Sequence, residues 1–207
     1  MDETDTGAET DVLIPGARDV RGTLDGPEAP DVLVVACPPH PQHGGSRTDR
    51  RLRAVADALA DRDVGCLRID YGDWDEGYGE REDVRNALRW ASDRAETVAC
   101  FGFSFGASQA ILASASVETP VACVSALAPA ATIAPELDVA DAVRSLDEAV
   151  PLQVVYGTRD ETADWQPVRD AAAERGADLV EWSADHFFVG QEAKVATDVV
   201  DFIEENT

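Results

Sequence analysis

The sequence predicts an α/β fold in which a mostly parallel sheet carries helices on both faces. Short apolar runs alternate with segments of helical period along most of the 207 residues, and this alternation is typical of a parallel sheet. The run at 32–36, Val-Leu-Val-Val-Ala, is continuously apolar, as in a strand covered on both faces. The length suits one domain of about 100–200 residues.

The predicted elements follow one another in a regular order. Residues 1–10 are a polar, acidic leader in which nothing requires ordered structure, and residues 11–207 are expected to form a single domain that begins with a hairpin over 12–24. The strands predicted after the hairpin are 32–36, 66–69, 97–101, 121–127, 152–156 and 179–180. The predicted helices lie within 47–62, 84–91, 107–115, 137–146, 168–176 and 195–203.

Apolar residues at helical spacing support these helices. In the first helix, Leu52, Val55, Ala56 and Leu59 recur at i, i+3, i+4 and i+7, so they form one apolar stripe. The segment 107–115 is apolar all round, and we therefore expect it to lie deep against the sheet.

The chain is strongly acidic, with 17 Lys and Arg against 41 Asp and Glu and a net charge of −24. The negative electrostatic field of so acidic a chain repels polyanions, so nucleic acid is not an expected partner. Lys194 is the only lysine, against sixteen arginines, and Asp outnumbers Glu. This composition resembles that of proteins from halophiles that accumulate salt, in which dense carboxylates stay hydrated.

We expect the melting temperature to rise as KCl increases from tenths molar to molar. Salt screens the mutual repulsion of the carboxylates, because the Debye length falls to about 3 Å at 1 M. Thermal unfolding followed by circular dichroism checks this expectation. A melting temperature that fell or stayed flat over that range would contradict the halophilic interpretation.

The sequence also indicates where in the cell the protein is located. Residues 1–5 lack the basic and apolar regions of a secretory signal, and no apolar run approaches the ~20 residues of a membrane span. A cytoplasmic protein without a membrane partner is expected, and a homo-oligomer is left open.

The cysteines are widely spaced in apolar runs and are expected to be buried thiols, not disulfides or metal ligands. They are Cys37, Cys66, Cys100 and Cys123.

The strongest chemical signal is the pentapeptide 102–106, Gly-Phe-Ser-Phe-Gly. It matches Gly-x-Ser-x-Gly directly after a predicted strand and directly before a predicted helix. Its glycines permit a tight turn that raises the Ser104 hydroxyl above the sheet, and the N–H of Phe105 is then free to bind an oxyanion. A glycine turn with an incidental serine is the alternative. A phosphate loop is disfavoured because Gly-x-Gly-x-x-Gly is absent.

A nucleophilic serine needs a base and an orienting carboxylate. His186 follows the last predicted strand, which is the expected place for the base when the chain order is serine, acid, histidine. Asp160 follows the preceding strand and would accept a hydrogen bond from the imidazole. Glu161 and Asp164 remain close rivals for the acid.

A second oxyanion donor is expected in the loop 37–45, after the first long parallel strand. Three prolines in the first part of this loop have no N–H. The backbone donors there are limited to His40 and Gln42, and His40 is favoured. A zinc site from His40 and His43 lacks a third ligand at matching spacing, so neither a metal nor a cofactor is expected.

These motifs resemble those of a known family. The pattern His-Pro-His-Pro-x-x-Gly-Gly is similar to 38–45, where proline replaces the first histidine, and Gly-Phe-Ser-Phe-Gly-Ala is matched at 102–107. Ala-Asp-His-Phe-Phe stands at 184–188, and Asp-x-Gly-x-Gly-Glu-x-x-Asp at 75–83. Over 32–202 the sequence resembles the α/β-hydrolase superfamily, and within it the small predicted hydrolases related to dienelactone hydrolases.

The resemblance implies the α/β-hydrolase fold and a serine hydrolase. Dienelactone hydrolases carry cysteine at the elbow, so Ser104 favours esters and related acyl compounds, cleaved through an acyl-enzyme without a cofactor. About 22 residues, 129–150, have room for one short helix, and a minimal cap is expected. A catalytically weak scaffold that binds a partner, and an acyltransferase, are the alternatives.

Overall fold

The computed structural model describes residues 9–207, and its main sheet has eight strands in the order β1-β2-β4-β3-β5-β6-β9-β10. The strands are β1 (Thr10–Ile14), β2 (Val20–Asp25), β3 (Val32–Cys37), β4 (Gly65–Asp70), β5 (Thr97–Phe103), β6 (Val124–Leu127), β7 (Thr132–Ala134), β8 (Leu137–Asp138), β9 (Leu152–Gly157) and β10 (Asp178–Trp182). Strand β2 is antiparallel to both neighbours, and the strands from β4 to β10 in the main sheet are parallel. The predicted α/β architecture is confirmed.

Helices cover both faces of this sheet. They are α1 (Arg50–Ala60), α2 (Tyr78–Ser92), α3 (Phe105–Ser114), α4 (Val139–Ser145), α5 (Gln166–Glu174) and α6 (Glu192–Glu205). Helices α2 to α5 share the hydrophobic cluster on one face, while α1 and α6 share the cluster on the other. Every residue of α3 is buried, as predicted. Within residues 9–207, no helix combines the length and the apolar character that crossing a bilayer requires.

Strand β3 shows why the central strands are apolar throughout. Leu33 and Val35 belong to the cluster beneath α2 to α5, whereas Val34 and Ala36 belong to the cluster beneath α1 and α6. Successive side chains of a strand point to opposite faces, so a strand covered on both sides buries all of them. The sequence pattern therefore follows directly from the layered packing.

The N-terminal hairpin extends the sheet beyond its parallel part. Strand β1 pairs with β2, and β2 pairs with β4. Strand β1 begins at Thr10, and the Glu9 carboxylate accepts hydrogen bonds from Arg53 and Arg68. The predicted acidic leader thus contacts the domain at its last residues, while residues 1–8 lie outside the described residues.

The segment between β6 and β9 differs from the prediction. The strand predicted over 121–127 begins at Val124. The helix predicted over 137–146 begins at Val139, because the Asp138 carboxylate accepts a hydrogen bond from the N–H of Asp141 at 2.9 Å and caps the helix. Leu137 and Asp138 instead pair with β7 in a small antiparallel sheet that the apolar pattern did not reveal.

All four cysteines are buried free thiols, as predicted. Burial raises the pKa of Cys123 to about 12 and raises that of Cys37 as well, because a thiolate is poorly solvated in the core. These side chains therefore act as small apolar residues in the packing.

Candidate active site

Ser104 lies on the sharp turn between β5 and α3. Its backbone has φ 56° and ψ −120°, a conformation that residues with a Cβ rarely adopt. A Cβ added at Gly102 would lie 2.2 Å from the carbonyl oxygen of Gly106, and one added at Gly106 would lie 2.1 Å from that of Cys37. Glycine is therefore required on both sides, and the turn raises the Ser104 hydroxyl above the carboxyl ends of the strands.

The structure brings Ser104, His186 and Asp160 into one hydrogen-bonded series. Ser104 Oγ lies 2.8 Å from His186 Nε2, and His186 Nδ1 lies 2.7 Å from Asp160 Oδ2. His186 is 5% exposed and Asp160 is 7% exposed. These distances let the hydroxyl donate to Nε2 while the Nδ1–H donates to the carboxylate, which is the arrangement of a nucleophile, a base and an orienting acid.

The turn after β9 places Asp160, and neither of the other two candidate acids, next to His186. The second carboxylate oxygen of Asp160 accepts hydrogen bonds from the N–H groups of Thr162 at 2.8 Å and Ala163 at 3.0 Å, which fixes the side chain. Glu161 and Asp164 are exposed on the same turn, and in residues 9–207 neither carboxylate bonds to the histidine. The sequence alone could not separate these neighbours.

A buried arginine that the sequence analysis missed holds the histidine loop. Arg51 forms an ion pair with Asp49 and donates a hydrogen bond to the carbonyl oxygen of Phe187 at 3.1 Å. Its guanidinium carbon lies 4.1 Å from the centre of the Phe103 ring, which in turn lies 5.5 Å from the His186 ring. Arg51 therefore contacts the surroundings of His186 in two ways, through the carbonyl of Phe187 and through the ring of Phe103.

The two predicted oxyanion donors lie on adjoining segments. Phe105 begins α3, and its ring lies 4.9 Å from that of His40. Within residues 9–207, the N–H groups of Phe105 and His40 donate to no protein acceptor. Because Gly106 has no Cβ, the carbonyl of Cys37 approaches it closely, and the loop 37–45 lies against the turn. Unpaired N–H groups beside a nucleophile are what an oxyanion requires.

Tyr71 is a second residue that the sequence analysis missed. Its hydroxyl donates a hydrogen bond to the carbonyl oxygen of Pro38 at 3.1 Å, and its ring packs edge-on against Phe105 at 5.6 Å. Burial raises the pKa of Tyr71, so the phenol stays protonated and remains a donor. Tyr71 thus contacts both segments that carry the predicted oxyanion donors.

An aromatic cluster forms one wall beside Ser104. The His40 ring stacks on His43 at 4.5 Å and lies 4.5 Å from Trp74. Burial lowers the pKa of His40, and the neighbouring His43 lowers it further, which favours the neutral form of the ring. Within the described chain, no group of three His, Cys, Asp or Glu residues is placed to hold a metal.

Trp74 is positioned by carboxylates of α2 that lie in the motif at 75–83. Glu80 accepts hydrogen bonds from the N–H groups of Asp75 and Gly77, each at 2.8 Å. Asp83 accepts one from Arg18 at 2.8 Å, and burial raises its pKa while this bond opposes the shift. The motif therefore stabilises the loop that carries the aromatic wall.

The loops around Ser104 line an open cavity of about 270 Å³ next to its hydroxyl. The cavity is lined by His40, His43, Trp74, Ser104, Phe105, Ala130, Thr132, Ile133, Thr162, Ala163 and His186. His43, Thr132 and Thr162 are exposed at its rim, so it opens directly to solvent. The aromatic side chains and Ile133 make its walls largely apolar, with the hydroxyl at the base.

No family model and no curated protein matches this chain. Solved structures do match. An α/β serine hydrolase homologue from Coxiella burnetii is 25% identical, with 94% of this chain and 97% of that chain covered and a TM-score of 0.78. An α/β serine hydrolase without a lid from Xanthomonas campestris is also 25% identical, with 96% and 93% covered and a TM-score of 0.74.

A third similar structure is Est1E from Butyrivibrio proteoclasticus. It is 18% identical, with 95% of this chain and 98% of that chain covered and a TM-score of 0.80. Together with the parallel sheet and its covering helices, these likenesses show that the chain has the α/β-hydrolase fold. The fold predicted from the sequence is confirmed.

Proposed function

We propose that this protein is a serine hydrolase that cleaves carboxylic esters through an acyl-enzyme. The observation that carries the proposal is the hydrogen-bonded series from Ser104 through His186 to Asp160, with distances of 2.8 and 2.7 Å. The α/β serine hydrolases from Coxiella burnetii and Xanthomonas campestris support it, as does an esterase from Pyrococcus furiosus that shares the fold at 18% identity and a TM-score of 0.81.

In the first step, His186 Nε2 takes the hydroxyl proton while Ser104 Oγ forms a bond to the carbonyl carbon. The carbonyl electron pair moves onto oxygen, and this oxyanion accepts hydrogen bonds from the N–H groups of Phe105 and His40. When the C=O bond re-forms, the bond to the alcohol oxygen breaks and His186 returns the proton to that oxygen. Asp160 stabilises the imidazolium that exists between these events.

In the second step, water replaces the alcohol. His186 removes a proton from the water as its oxygen attacks the acyl carbon, and a second oxyanion forms at the same two N–H groups. Collapse breaks the bond to Ser104 Oγ, which recovers its proton, and a carboxylic acid leaves. The cavity opens to solvent, so water has direct access to the acyl-enzyme.

A fluorophosphonate probe in molar KCl tests the proposal. We expect covalent labelling of the folded protein, with the mass increase located by peptide mapping on Ser104. The same preparation is expected to hydrolyse p-nitrophenyl esters, and a series of graded acyl lengths then measures how long a chain the cavity accepts. A folded protein that neither reacts with the probe nor hydrolyses any ester would support a non-catalytic scaffold instead.

We expect Tyr71→Phe to lower kcat by about 3- to 10-fold, the effect of one neutral hydrogen bond of roughly 1 kcal/mol. The change leaves the Pro38 carbonyl without its donor, and the loop with the His40 N–H then fits the oxyanion less closely. KM is expected to change less than about twofold, since the cavity wall is intact. Steady-state kinetics with one p-nitrophenyl ester provide the measurement.

Tyr156→Phe is the matched control for Tyr71→Phe. Tyr156 is also buried, and its hydroxyl donates a hydrogen bond to Glu181 at 3.2 Å, away from the oxyanion donors. We expect its kcat to match that of the wild type. Equal losses in kcat for the two variants would show that Tyr71 acts only on general stability.

A further inference from the structure

The cavity beside Ser104 is nearly free of charge. Within the described chain, its lining contains histidine, aromatic, aliphatic and hydroxyl side chains but no arginine, lysine, aspartate or glutamate. His40 lies in its wall, and burial lowers the pKa of this ring, which favours its uncharged form. A substrate carboxylate bound there would have no cationic partner.

Two arginines adjoin the catalytic residues but do not line the cavity. Arg51 is paired with Asp49 and bonded to the Phe187 carbonyl. Arg159, next to the catalytic loop, donates to the carbonyl oxygen of Ser183 at 2.9 Å. Neither guanidinium lines the cavity, so neither is placed to compensate a negative charge on a substrate.

Exposed carboxylates surround this uncharged cavity. They lie on three of the loops that line it, and they are Asp73, Asp75, Glu76, Glu161, Asp164 and Asp185. Across residues 9–207, none of the six takes part in an ion pair. Each is within three residues of a lining residue, and therefore within about 11 Å along the chain, at 3.8 Å per residue. Arg159 is exposed at the same spacing from Thr162 and pairs with none of them within residues 9–207, but the carboxylates outnumber it six to one, so the field at the mouth is negative.

We propose that the site selects esters without negative charge and rejects esters that carry a carboxylate on either the acyl or the alcohol part. This inference rests on the proposed function and names its substrate class. A carboxylate that enters loses water without gaining a cation, and it also approaches the six unpaired carboxylates. The cost of lost hydration persists in molar salt, because it acts at contact distance. Salt screens the repulsion by the six carboxylates and so weakens it.

Two aryl acetates of the same shape test the proposal. 4-Acetoxybenzamide is uncharged and 4-acetoxybenzoate is anionic, and each kcat/KM is divided by the rate constant for hydroxide-catalysed hydrolysis to remove the difference in leaving group. We expect the corrected value for the benzamide to exceed that for the benzoate by about tenfold or more in molar KCl. The ratio is expected to grow at the lowest KCl concentration that keeps the protein folded.

A charge introduced into the cavity provides the matched comparison. Thr132 is exposed and lines the cavity, so Thr132→Arg places a cation where the structure has none. Ser92→Arg adds the same charge at an exposed position before β5, at the opposite end of the sheet. We expect Thr132→Arg to raise the corrected benzoate-to-benzamide ratio by about tenfold, and Ser92→Arg to leave it unchanged.

The outcomes separate this inference from the proposed function. Discrimination by the wild type that falls in Thr132→Arg and not in Ser92→Arg supports the inference. Equal corrected rates for the two esters in the wild type would overturn it while leaving the hydrolase intact, and the wild-type comparison decides even if a variant does not fold. A protein that turned over neither ester and gave no fluorophosphonate adduct would overturn both.

Discussion

Ser104→Ala is expected to lower kcat for ester hydrolysis by on the order of 10⁵–10⁶-fold. The methyl group cannot attack the carbonyl carbon, so the acyl-enzyme route is lost and only oxyanion binding and substrate positioning remain. His186→Ala should cause a loss of similar size, because the hydroxyl then keeps its proton. The double variant should be no slower than either single variant, since nucleophile and base act as one unit.

Ser114→Ala is the control for Ser104→Ala. It makes the same substitution at the other end of α3, where Ser114 is buried and its hydroxyl has no hydrogen-bond partner within residues 9–207. We expect wild-type kinetics from this variant and comparable melting temperatures for all variants in molar KCl. Residual activity of Ser104→Ala within tenfold of the wild type would mean that another nucleophile performs the reaction.

Asp160→Asn is expected to reduce kcat by about 10⁴-fold with little change in KM. The new amide can still accept the N–H groups of Thr162 and Ala163, so the loop keeps its shape. Its NH₂ group then faces His186 Nδ1, which favours the tautomer with the proton on Nε2, and that nitrogen can no longer accept the serine proton. Steady-state kinetics measure the loss in kcat, and thermal unfolding of the same preparation shows whether the fold is intact.

The two rival acids provide the controls for Asp160→Asn. Glu161→Gln and Asp164→Asn are expected to retain kcat within about twofold of the wild type for an uncharged ester, because both side chains are exposed and away from His186. A large loss in either variant, together with an active Asp160→Asn, would transfer the orienting role to that carboxylate and contradict the geometry of the turn.

Local signals in the sequence account for the fold and for much of the candidate site. Apolar runs identify the parallel strands because burial on both faces leaves no polar position. Two glycines around Ser104 indicate the elbow because backbone atoms occupy the space of a Cβ. The start of α4 was missed although Asp138 is a standard cap, because Leu137 fits the helical spacing as well as it fits a short strand.

The hydrogen bonds of Arg51 and Tyr71 that support the site could not be predicted, because they join residues far apart in the chain. Arg51 and Phe187 are separated by 136 positions, and Tyr71 and Pro38 by 33. Neither pair has a spacing that a periodic pattern would reveal. The choice of Asp160 over its neighbours depends on two backbone N–H groups of one turn, which residue types alone do not specify.

The uncharged cavity with its acidic surroundings has a consequence for turnover. In the proposed reaction the product is a carboxylic acid that ionises at pH 7, inside a site that offers the resulting anion no counter-ion. The product anion is therefore bound weakly, and it leaves across an exposed rim formed by His43, Thr132 and Thr162. If the protein hydrolyses esters as proposed, we expect the accumulated product acid to inhibit hydrolysis only weakly.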